Sequence, residues 1–203
     1  MNVDEFKKIL ASESLDSVVM KYIFGGEPYC FREMPGAYQL LRKHLAGRLS
    51  VAENDIVVVG SGKTGFSLSP DNFGRGFSPR SDVDVLIVSS QLFDVIWKAI
   101  IEWHYPFRFS ALGETDLRWS SRRRWNVYWG WFYPSGIPFR GVSFPGVLRP
   151  IRDISTTWFN AFRSLSTYKE FASRNYQGRL YRTWEHALLY HRYSLREVMS
   201  TLR

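Results

Sequence analysis

The sequence has little of what secreted, membrane-spanning and zinc-binding proteins require. Its single cysteine, Cys30, cannot form a disulfide within the chain, which fits a reducing cytoplasm. That cysteine and four histidines give no recognised zinc-ligand spacing. No apolar run approaches the roughly 18 residues of a membrane-spanning helix, and the N-terminal MNVDEFKKIL does not resemble a signal peptide. We therefore expect a cytoplasmic protein that does not enter a membrane.

Acidic residues are scarce in the second half of the chain. Residues 104–203 contain 16 Lys/Arg and 6 Asp/Glu, a net charge of +10, whereas residues 1–103 contain 11 and 13, a net charge of −2. A basic half favours a polyanionic ligand such as a nucleotide, RNA or DNA. Aromatic residues are abundant, at 17%, and they either fill a bulky core or line a pocket in which bases stack.

Hydrophobic periodicity and turn residues predict an α/β (α+β) fold, with a small sheet flanked by helices and extra helices at both ends. The predicted helices cover residues 4–24, 35–49, 91–103, 155–165 and 178–202. The predicted strands cover residues 55–59, 82–88 and 124–132. With no internal repeat and no clear linker, residues 1–203 are expected to form one domain. Its core would span about 34–135, with a helical C-terminal extension over about 153–203.

Two carboxylates are predicted to share one face of a strand. Asp82 and Asp84 are two residues apart, so both side chains leave the same face, while Val83 and Val85 point into the core. Two carboxylates held so close repel each other unless a cation lies between them. The pattern therefore predicts a site for Mg²⁺ (or Mn²⁺), which would contact the phosphates of a nucleoside triphosphate.

A second pattern precedes those carboxylates. The apolar strand that ends at Val59 is followed by Gly60 and Ser61, the first residues of a passage rich in glycine, serine and proline over 60–81. Glycine lets the backbone approach phosphate oxygens, and the following amides and the Ser61 hydroxyl can donate to them. Lys63 either contacts a phosphate or is a solvated lysine, and Ser81, directly before Asp82, is a further candidate for nucleotide binding.

Together these segments, VVVGSGKTGF and SPRSDVDVLIV within residues 57–88, resemble the signature of the DNA-polymerase-β-like nucleotidyltransferases. The resemblance implies that Ser61 contacts the phosphates and that Asp82 and Asp84 ligate magnesium. It implies transfer of a nucleoside monophosphate to a hydroxyl of a nucleotide, a nucleic acid or a protein, with release of pyrophosphate. Bacterial members also suggest a role in antiphage defence or as a toxin, with a homo-oligomer or an effector partner.

The chain departs from that signature in its spacer. The spacer between Ser61 and Asp82 has 20 residues, against the family's usual dozen or so. The extra segment is either a substrate loop, in which Arg75 and Arg80 reach phosphate, or an inert surface insertion.

The chain also lacks an obvious third carboxylate, which the resemblance places on a later strand. No Asp or Glu occurs from Leu117 to Arg152. Asp153 is the first candidate, although it also suits the N-terminal end of a helix, and Asp116 is the second. If neither serves, the protein uses two carboxylates or is an inactive module that binds nucleotide or nucleic acid.

Three other patterns in the sequence bear on phosphate or nucleic-acid binding. Gly62-Lys63-Thr64 resembles a phosphate-binding P-loop, but that motif needs a glycine at position 57, where Val57 stands. The run 122–124 of arginines beside tryptophans is either a nucleic-acid surface or a strand packed on a helix. The basic residues of 179–196 are either a solvated helix face or a contact for phosphate or RNA.

Overall fold

The computed structural model describes residues 1–105, 125–134 and 146–202, which form an α+β fold. The helices are α1 (Val3–Ser12), α2 (Leu15–Val18, continued by a π-helical turn over Val19–Phe24), α3 (Ala37–Leu49), α4 (Gly60–Thr64), α5 (Ser90–His104), α6 (Arg149–Arg163) and α7 (Trp184–Thr201). The strands are β1 (Ile56–Val59), β2 (Val83–Val88), β3 (Trp131–Phe132) and β4 (Tyr176–Tyr181). The predicted small sheet flanked by helices is confirmed.

The four strands form one mixed sheet in the order β1–β2–β4–β3. β2 pairs antiparallel with β1 and parallel with β4, while β3 pairs antiparallel with β4. Asp84 on β2 is therefore flanked by Val59 of β1 and by Gln177 of β4. Because side chains alternate along each strand, this register places Gln177 beside Asp84 on the same face of the sheet.

The two faces of the sheet pack against different helices. One face, which includes Val83 and Val85, packs in a core with α3, α5 and α6. The other face, which includes Val59 and Leu86, packs in a second core with α1, α2 and α7. Asp84 belongs to this second face, at the start of β2, where the helices do not cover the sheet completely. The gap in the apolar layer at that end of the strand creates the candidate site.

The main correction to the prediction concerns residues 178–181, which were predicted to start the last helix. They belong to β4, and α7 begins only at Trp184, after Thr183 as its N-cap. Tyr176, Gly178 and Leu180 alternate into the core, and a Cβ at Gly178 would overlap rings of α6. This segment was misread as helical because its period of two is short and lies directly before a long helix. The C-terminal extension is thus not wholly helical, and the sheet reaches beyond residue 135.

Smaller differences concern where elements begin and end. The strand predicted over 124–132 is reduced to Trp131–Phe132, because residues 125–128 form a helical turn and Gly130 follows with a φ of +74°. The helix predicted from residue 155 begins at Arg149, since Pro150 is tolerated in a first turn. The helix predicted over 4–24 is interrupted at Glu13 and Ser14, where Ser14 caps α2. Within the described ranges, no helix combines the length and apolar character needed to cross a bilayer.

Candidate functional site

A cavity of about 780 Å³ opens on the incompletely covered face of the sheet. We call it the Asp84 cavity. It is lined by Val59, Gly60, Ser61, Ser67, Leu68, Ser69, Asn72, Arg75, Gly76, Ser78, Arg80, Ser81, Asp82, Asp84, Val85, Leu86, Tyr133, Gln177, Gly178, Arg179, Tyr181, Tyr190, His191 and Ser194. Residues predicted from two separate motifs, Gly60-Ser61 and Asp82/Asp84, therefore line one cavity.

The two carboxylates differ in their surroundings. Asp82 accepts hydrogen bonds from Asn175 Nδ2 (3.1 Å) and Gln177 Nε2 (2.6 Å). Asp84 lines the cavity with an exposed side chain, between Val59 of β1 and Gln177 of β4. Partial desolvation by the surrounding protein raises the pKa of the Asp84 carboxyl, the charge of Arg179 opposes the rise, and the charge of Asp82 adds to it. A cation at Asp84 would relieve the cost of holding two carboxylates in this space.

Gly60 gives the chain its close approach to Asp84. Its φ is +64°, in the left-handed region that favours glycine, and it is the first residue of α4. A Cβ added at this position would lie 2.9 Å from Asp84 Oδ2. Any other residue would therefore press on the carboxylate, so glycine keeps this end of the cavity open. Ser61 follows in the first turn of α4 and also lines the cavity.

The long spacer forms one wall of the cavity rather than a detached insertion. Ser67 N donates to Arg75 O and Phe77 N donates to Gly65 O, each at 2.8 Å, so the segment folds back on itself. The buried ring of Phe66 anchors it on α1, 5.6 Å from the ring of Phe6. Arg75 and Arg80 are exposed and line the cavity. Both arginines thus face the cavity, as the substrate-loop alternative requires.

Ser81 also lines the cavity, and it helps to shape the wall. Its hydroxyl oxygen accepts a hydrogen bond from Ser78 N at 3.0 Å and lies 3.2 Å from Ser78 Oγ. These contacts close the turn that leads into Asp82 and β2. Ser81 is thus placed both to stabilise the turn and to present an oxygen beside the first carboxylate.

Arg179 of β4 is a cation that aromatic residues hold on the same face of the sheet as Asp84. Its guanidinium donates to the hydroxyls of Tyr133 and of Tyr181, the latter at 3.1 Å. The guanidinium carbon lies 4.4 Å from the ring centroid of Tyr190 and 4.8 Å from that of Trp131. Such contacts stabilise a desolvated arginine. Arg179 thus presents a rigidly held positive charge close to Asp84.

His191 lies beside this aromatic group and is held without charge. Its Nε2 is inaccessible to solvent and has no hydrogen-bond partner among the described residues. Burial lowers the pKa of His191 to about 3, and the charge of Arg179 acts in the same direction. The ring packs on aromatic neighbours, with Tyr190 at 5.3 Å and Phe24 at 5.5 Å. His191 is consequently a neutral, aromatic part of the cavity wall at neutral pH.

Two predicted site residues lie elsewhere. Lys63 is buried and points away from the cavity, where its Nζ donates to the carbonyls of Gly25 and of Gly26, the latter at 2.6 Å. It therefore stabilises the end of the π-helical turn. Asp153 is exposed on the second turn of α6 and does not line the Asp84 cavity. The structure thus brings neither residue to Asp82 and Asp84.

Other predicted residues are separated by the fold or lie outside the described ranges. Asp116 and the arginines 122–124 are outside the described residues. The basic C-terminal residues do not form a single face: Arg179 enters the cavity, Arg182 pairs with Asp94 at 2.9 Å, and Arg192 pairs with Asp16 at 3.2 Å. Arg179 differs from the other basic residues because it lies on a strand, whereas the predicted helix over 178–202 would have placed all of them together.

Sequence analysis missed Asn175 and Gln177, which lie just before and within the start of β4, and it assigned Arg179 to a helix rather than to this strand. Asn175 and Gln177 hold Asp82, and Arg179 faces Asp84. The alternation in Tyr-Gln-Gly-Arg-Leu-Tyr was the available signal, since it places Gln177 and Arg179 on the face opposite Tyr176, Gly178 and Leu180. The strand was overlooked because a helix follows it after only two residues.

The two carboxylates suit a hard divalent cation for which water molecules and phosphate oxygens supply most of the ligands. Asp82 and Asp84 offer carboxylate oxygens on one face, and Mg²⁺ is commonly bound by one or two carboxylates with substrate phosphates. Within residues 1–105, 125–134 and 146–202, no cluster of three or more His, Cys, Asp or Glu could hold a metal ion. The two carboxylates therefore suit an ion that binds together with a phosphate ligand better than an ion that is held by protein ligands alone.

Comparison of the chain with protein-family models, with curated proteins and with solved structures found no match.

Proposed function

We propose that the protein is a magnesium-dependent nucleotidyltransferase whose active site is the Asp84 cavity. The observation that carries this proposal is the convergence of Gly60-Ser61, Asp82/Asp84 and the arginines 75 and 80 on one cavity. The cavity volume, about 780 Å³, is in the range that encloses a small-molecule ligand such as a nucleotide. A triphosphate matches its mixture of two carboxylates, which suit a cation, and several arginines, which suit phosphate.

Each group has a distinct task in this proposal. Ser61 and the open backbone at Gly60 receive phosphate oxygens next to Asp84. Arg75 and Arg80 bind the outer phosphates from the spacer wall, while Arg179 supplies positive charge from β4. Asp82 and Asp84 would hold Mg²⁺ or Mn²⁺, which supplies charge stabilisation at the reacting phosphate when bound. Asn175 and Gln177 orient Asp82, because both amides donate to its carboxylate.

The reaction is a substitution at the α-phosphorus of a nucleoside triphosphate. An acceptor hydroxyl oxygen forms a bond to the α-phosphorus, and the bond from this phosphorus to the bridging oxygen breaks. Pyrophosphate leaves with the electron pair of that bond, and the proton of the hydroxyl passes to solvent. The cavity contributes chiefly by positioning the phosphates and by stabilising charge, as is usual for phosphoryl transfer.

Labelled nucleoside triphosphates incubated with the protein and Mg²⁺ test this proposal directly. We expect a labelled product and stoichiometric pyrophosphate, both lost in Asp84→Asn. Asp153→Asn is the matched control, because Asp153 is an exposed carboxylate outside the cavity. Absence of any labelled product with all triphosphates and with nucleotide, nucleic-acid and protein acceptors would contradict the proposal.

A second candidate function is a module that binds nucleotide or nucleic acid without turnover. The observation in its favour is that the described part of the cavity contains Asp82 and Asp84 but no third carboxylate. Such a module would bind triphosphate with Mg²⁺ and release no pyrophosphate. Equilibrium binding and pyrophosphate release, measured on the same sample, distinguish the two functions.

The cellular setting belongs to the same proposal. The single cysteine, Cys30, is buried and unpaired, which suits the reducing cytoplasm. A role in bacterial defence, alone or with an effector partner, rests on the resemblance of residues 57–88 to the nucleotidyltransferase signature. Infection of a host that expresses either the wild-type protein or Asp84→Asn tests it.

A further inference from the structure

A second, smaller cavity of about 440 Å³ adjoins the first one. We call it the α6–β4 groove, because it runs between helix α6 and the start of strand β4. It is lined by Trp158, Phe159, Phe162, Arg163, Leu165, Ser166, Arg174, Asn175, Tyr176, Gln177 and Gly178. Gln177 and Gly178 line both cavities, so the groove and the Asp84 cavity meet at these two residues.

The groove ends at the first carboxylate of the proposed active site. Asn175 and Gln177, which line the groove, donate their side-chain amides to the two oxygens of Asp82. A ligand that lies along the groove therefore has one end beside Asp82. At Gly178 the rings of Trp158 and Phe162 lie directly against the backbone and form the inner side of the groove.

Aromatic rings form one side of the groove. Phe162 stacks on Trp158, with ring centroids 5.4 Å apart and an interplanar angle of 27°. Phe159 is 55% exposed, although α6 buries Ile151, Trp158 and Ala161 in the core. Phe159, Phe162 and Arg163 occupy positions i, i+3 and i+4 of α6, so they share one face of the helix. Phe159 is exposed and Phe162 is half-buried, so this face of α6 offers ring surface on which bases can stack.

Positive charge accompanies these rings. Arg163 is exposed at the end of α6. Arg174 lies across the groove, where its guanidinium stacks 4.6 Å from the ring centroid of Phe77 and donates to Ser78 O at 3.1 Å. No Asp or Glu lines the described groove. Rings, two arginines and no acid are complementary to a strand that has exposed bases and a phosphate backbone.

We propose that the α6–β4 groove binds the end of a single-stranded nucleic acid and that the terminal hydroxyl of this strand is the acceptor. Bases stack on Phe159 and Phe162, while backbone phosphates contact Arg163 and Arg174. The hydroxyl oxygen at the strand end then reaches the α-phosphorus beside Asp82, and pyrophosphate leaves as in the substitution above. The acceptor role rests on the proposed function, whereas binding of the strand does not.

Fluorescence anisotropy with a short labelled single-stranded RNA or DNA, without triphosphate and without metal, measures binding alone. We expect Phe159→Ala to weaken binding about tenfold, because stacking on one aromatic ring is typically of this size. Tyr193→Ala is the matched control, since Tyr193 is similarly exposed, at 52%, on α7 and lines neither cavity. Its effect should stay below about twofold.

The salt dependence of single-strand binding provides a second, independent test. Arg163→Gln should lower the slope of log binding constant against log salt concentration by about 0.7, the value for one phosphate contact on a single strand. Arg48→Gln, at an exposed arginine of α3 outside both cavities, should leave the slope unchanged. Equal losses in Phe159→Ala and Tyr193→Ala, or no binding of any single strand by the wild type, would overturn the inference.

Labelled triphosphate and Mg²⁺ then separate this inference from the proposed function. Extension of the bound strand in the wild type, reduced in Phe159→Ala, supports both. Single-strand binding that is weakened by the groove substitutions as expected, with no nucleotide transfer to any acceptor, would contradict the proposed nucleotidyltransferase activity and the acceptor role. The groove would then be a site that only binds single-stranded nucleic acid. Transfer to a protein or a free nucleotide, with groove variants that behave like their controls, would overturn the groove and retain the enzyme.

Discussion

Two segments build the Asp84 cavity in opposite ways. Residues 65–81 line it with exposed side chains on a wall that is held mainly by its own backbone hydrogen bonds. Strand β4 lines it with side chains that contact several other elements at once, as Arg179 does with Tyr133, Tyr181 and Tyr190. Arg75 and Arg80 can therefore adjust to a ligand, whereas Arg179 is positioned before a ligand arrives.

Because of this difference, side chains of the spacer wall should affect ligand binding alone, whereas side chains of β4 should affect both ligand binding and the stability of the fold. Exposed arginines on the spacer wall contribute little to the folded state, so their loss should be felt only when phosphate is bound. The side chains of β4 serve both purposes, because removing them leaves buried polar partners unsatisfied. The predictions below test this contrast, beginning with the carboxylate that lies between the two segments.

Asp84→Asn should have the largest effect, a loss of about three orders of magnitude in nucleotide transfer. The free energy of unfolding should be unchanged or higher, because the substitution removes one of two neighbouring carboxylates and the one whose pKa burial raises. Pyrophosphate release and urea unfolding measure the two quantities. Activity within tenfold of the wild type would show that the site lies elsewhere.

Arg179→Met should lower the free energy of unfolding by about 3 kcal/mol, since the hydroxyls of Tyr133 and Tyr181 lose a charged donor. Transfer activity should fall as well, because the positive charge near Asp84 is lost. Urea unfolding checks the first effect. A variant as stable as the wild type would show that β4 is no more constrained than the spacer wall, and the contrast between the two segments would fail.

His191 should make stability sensitive to acid. Its pKa is about 3 in the folded protein against a normal value of 6.5, so between these values the unfolded chain binds more protons. Stability from the neutral ring is therefore complete above pH 6.5 and declines as the pH falls towards 3. Between pH 7.5 and 5 the free energy of unfolding should fall by about 2 kcal/mol more in the wild type than in His191→Gln. Equal losses in both proteins would contradict the buried, neutral state.

Lys63→Met tests whether every part of the glycine-rich passage is adjustable. Lys63 is buried and donates to two carbonyls, so we expect a loss of about 2 kcal/mol in stability. The KM for triphosphate should remain unchanged, because the side chain does not line the cavity. A raised KM with unchanged stability would instead place Lys63 on a phosphate and would restore the interpretation suggested by the sequence.

The double variant Arg75→Gln, Arg80→Gln should have the smallest effect on the fold. We expect KM for triphosphate to rise about tenfold, which corresponds to the loss of one or two charge-assisted hydrogen bonds. The free energy of unfolding should change by less than about 0.5 kcal/mol, since both side chains are exposed. Arg48→Gln serves as the control for total charge. A large loss of stability would show that the spacer wall is also structural.

Local patterns in the sequence predicted most of the elements and part of the lining of the Asp84 cavity. The apolar runs of β1 and β2 and the periodicity of α3 and α5 were read correctly to within about two residues, because burial of a whole face leaves a strong periodic signal. Gly60, Ser61, Asp82 and Asp84 were identified for the same reason, as short motifs attached to those strands. Asp153 and Lys63, also candidates from the sequence, do not line the Asp84 cavity, since composition near a motif does not report the direction of a side chain.

The sequence by itself determined that Asp82 and Asp84 stand two residues apart at the start of an extended apolar strand and that a glycine precedes them at the end of a buried strand. Only the tertiary structure decided what lies opposite them. β4 is separated from β2 by almost 90 residues, yet parallel pairing places Gln177 beside Asp84 and brings Arg179 into the cavity. Such pairing depends on sheet register and on the packing of α6 against Gly178, and neither leaves a local pattern that identifies the partner strand.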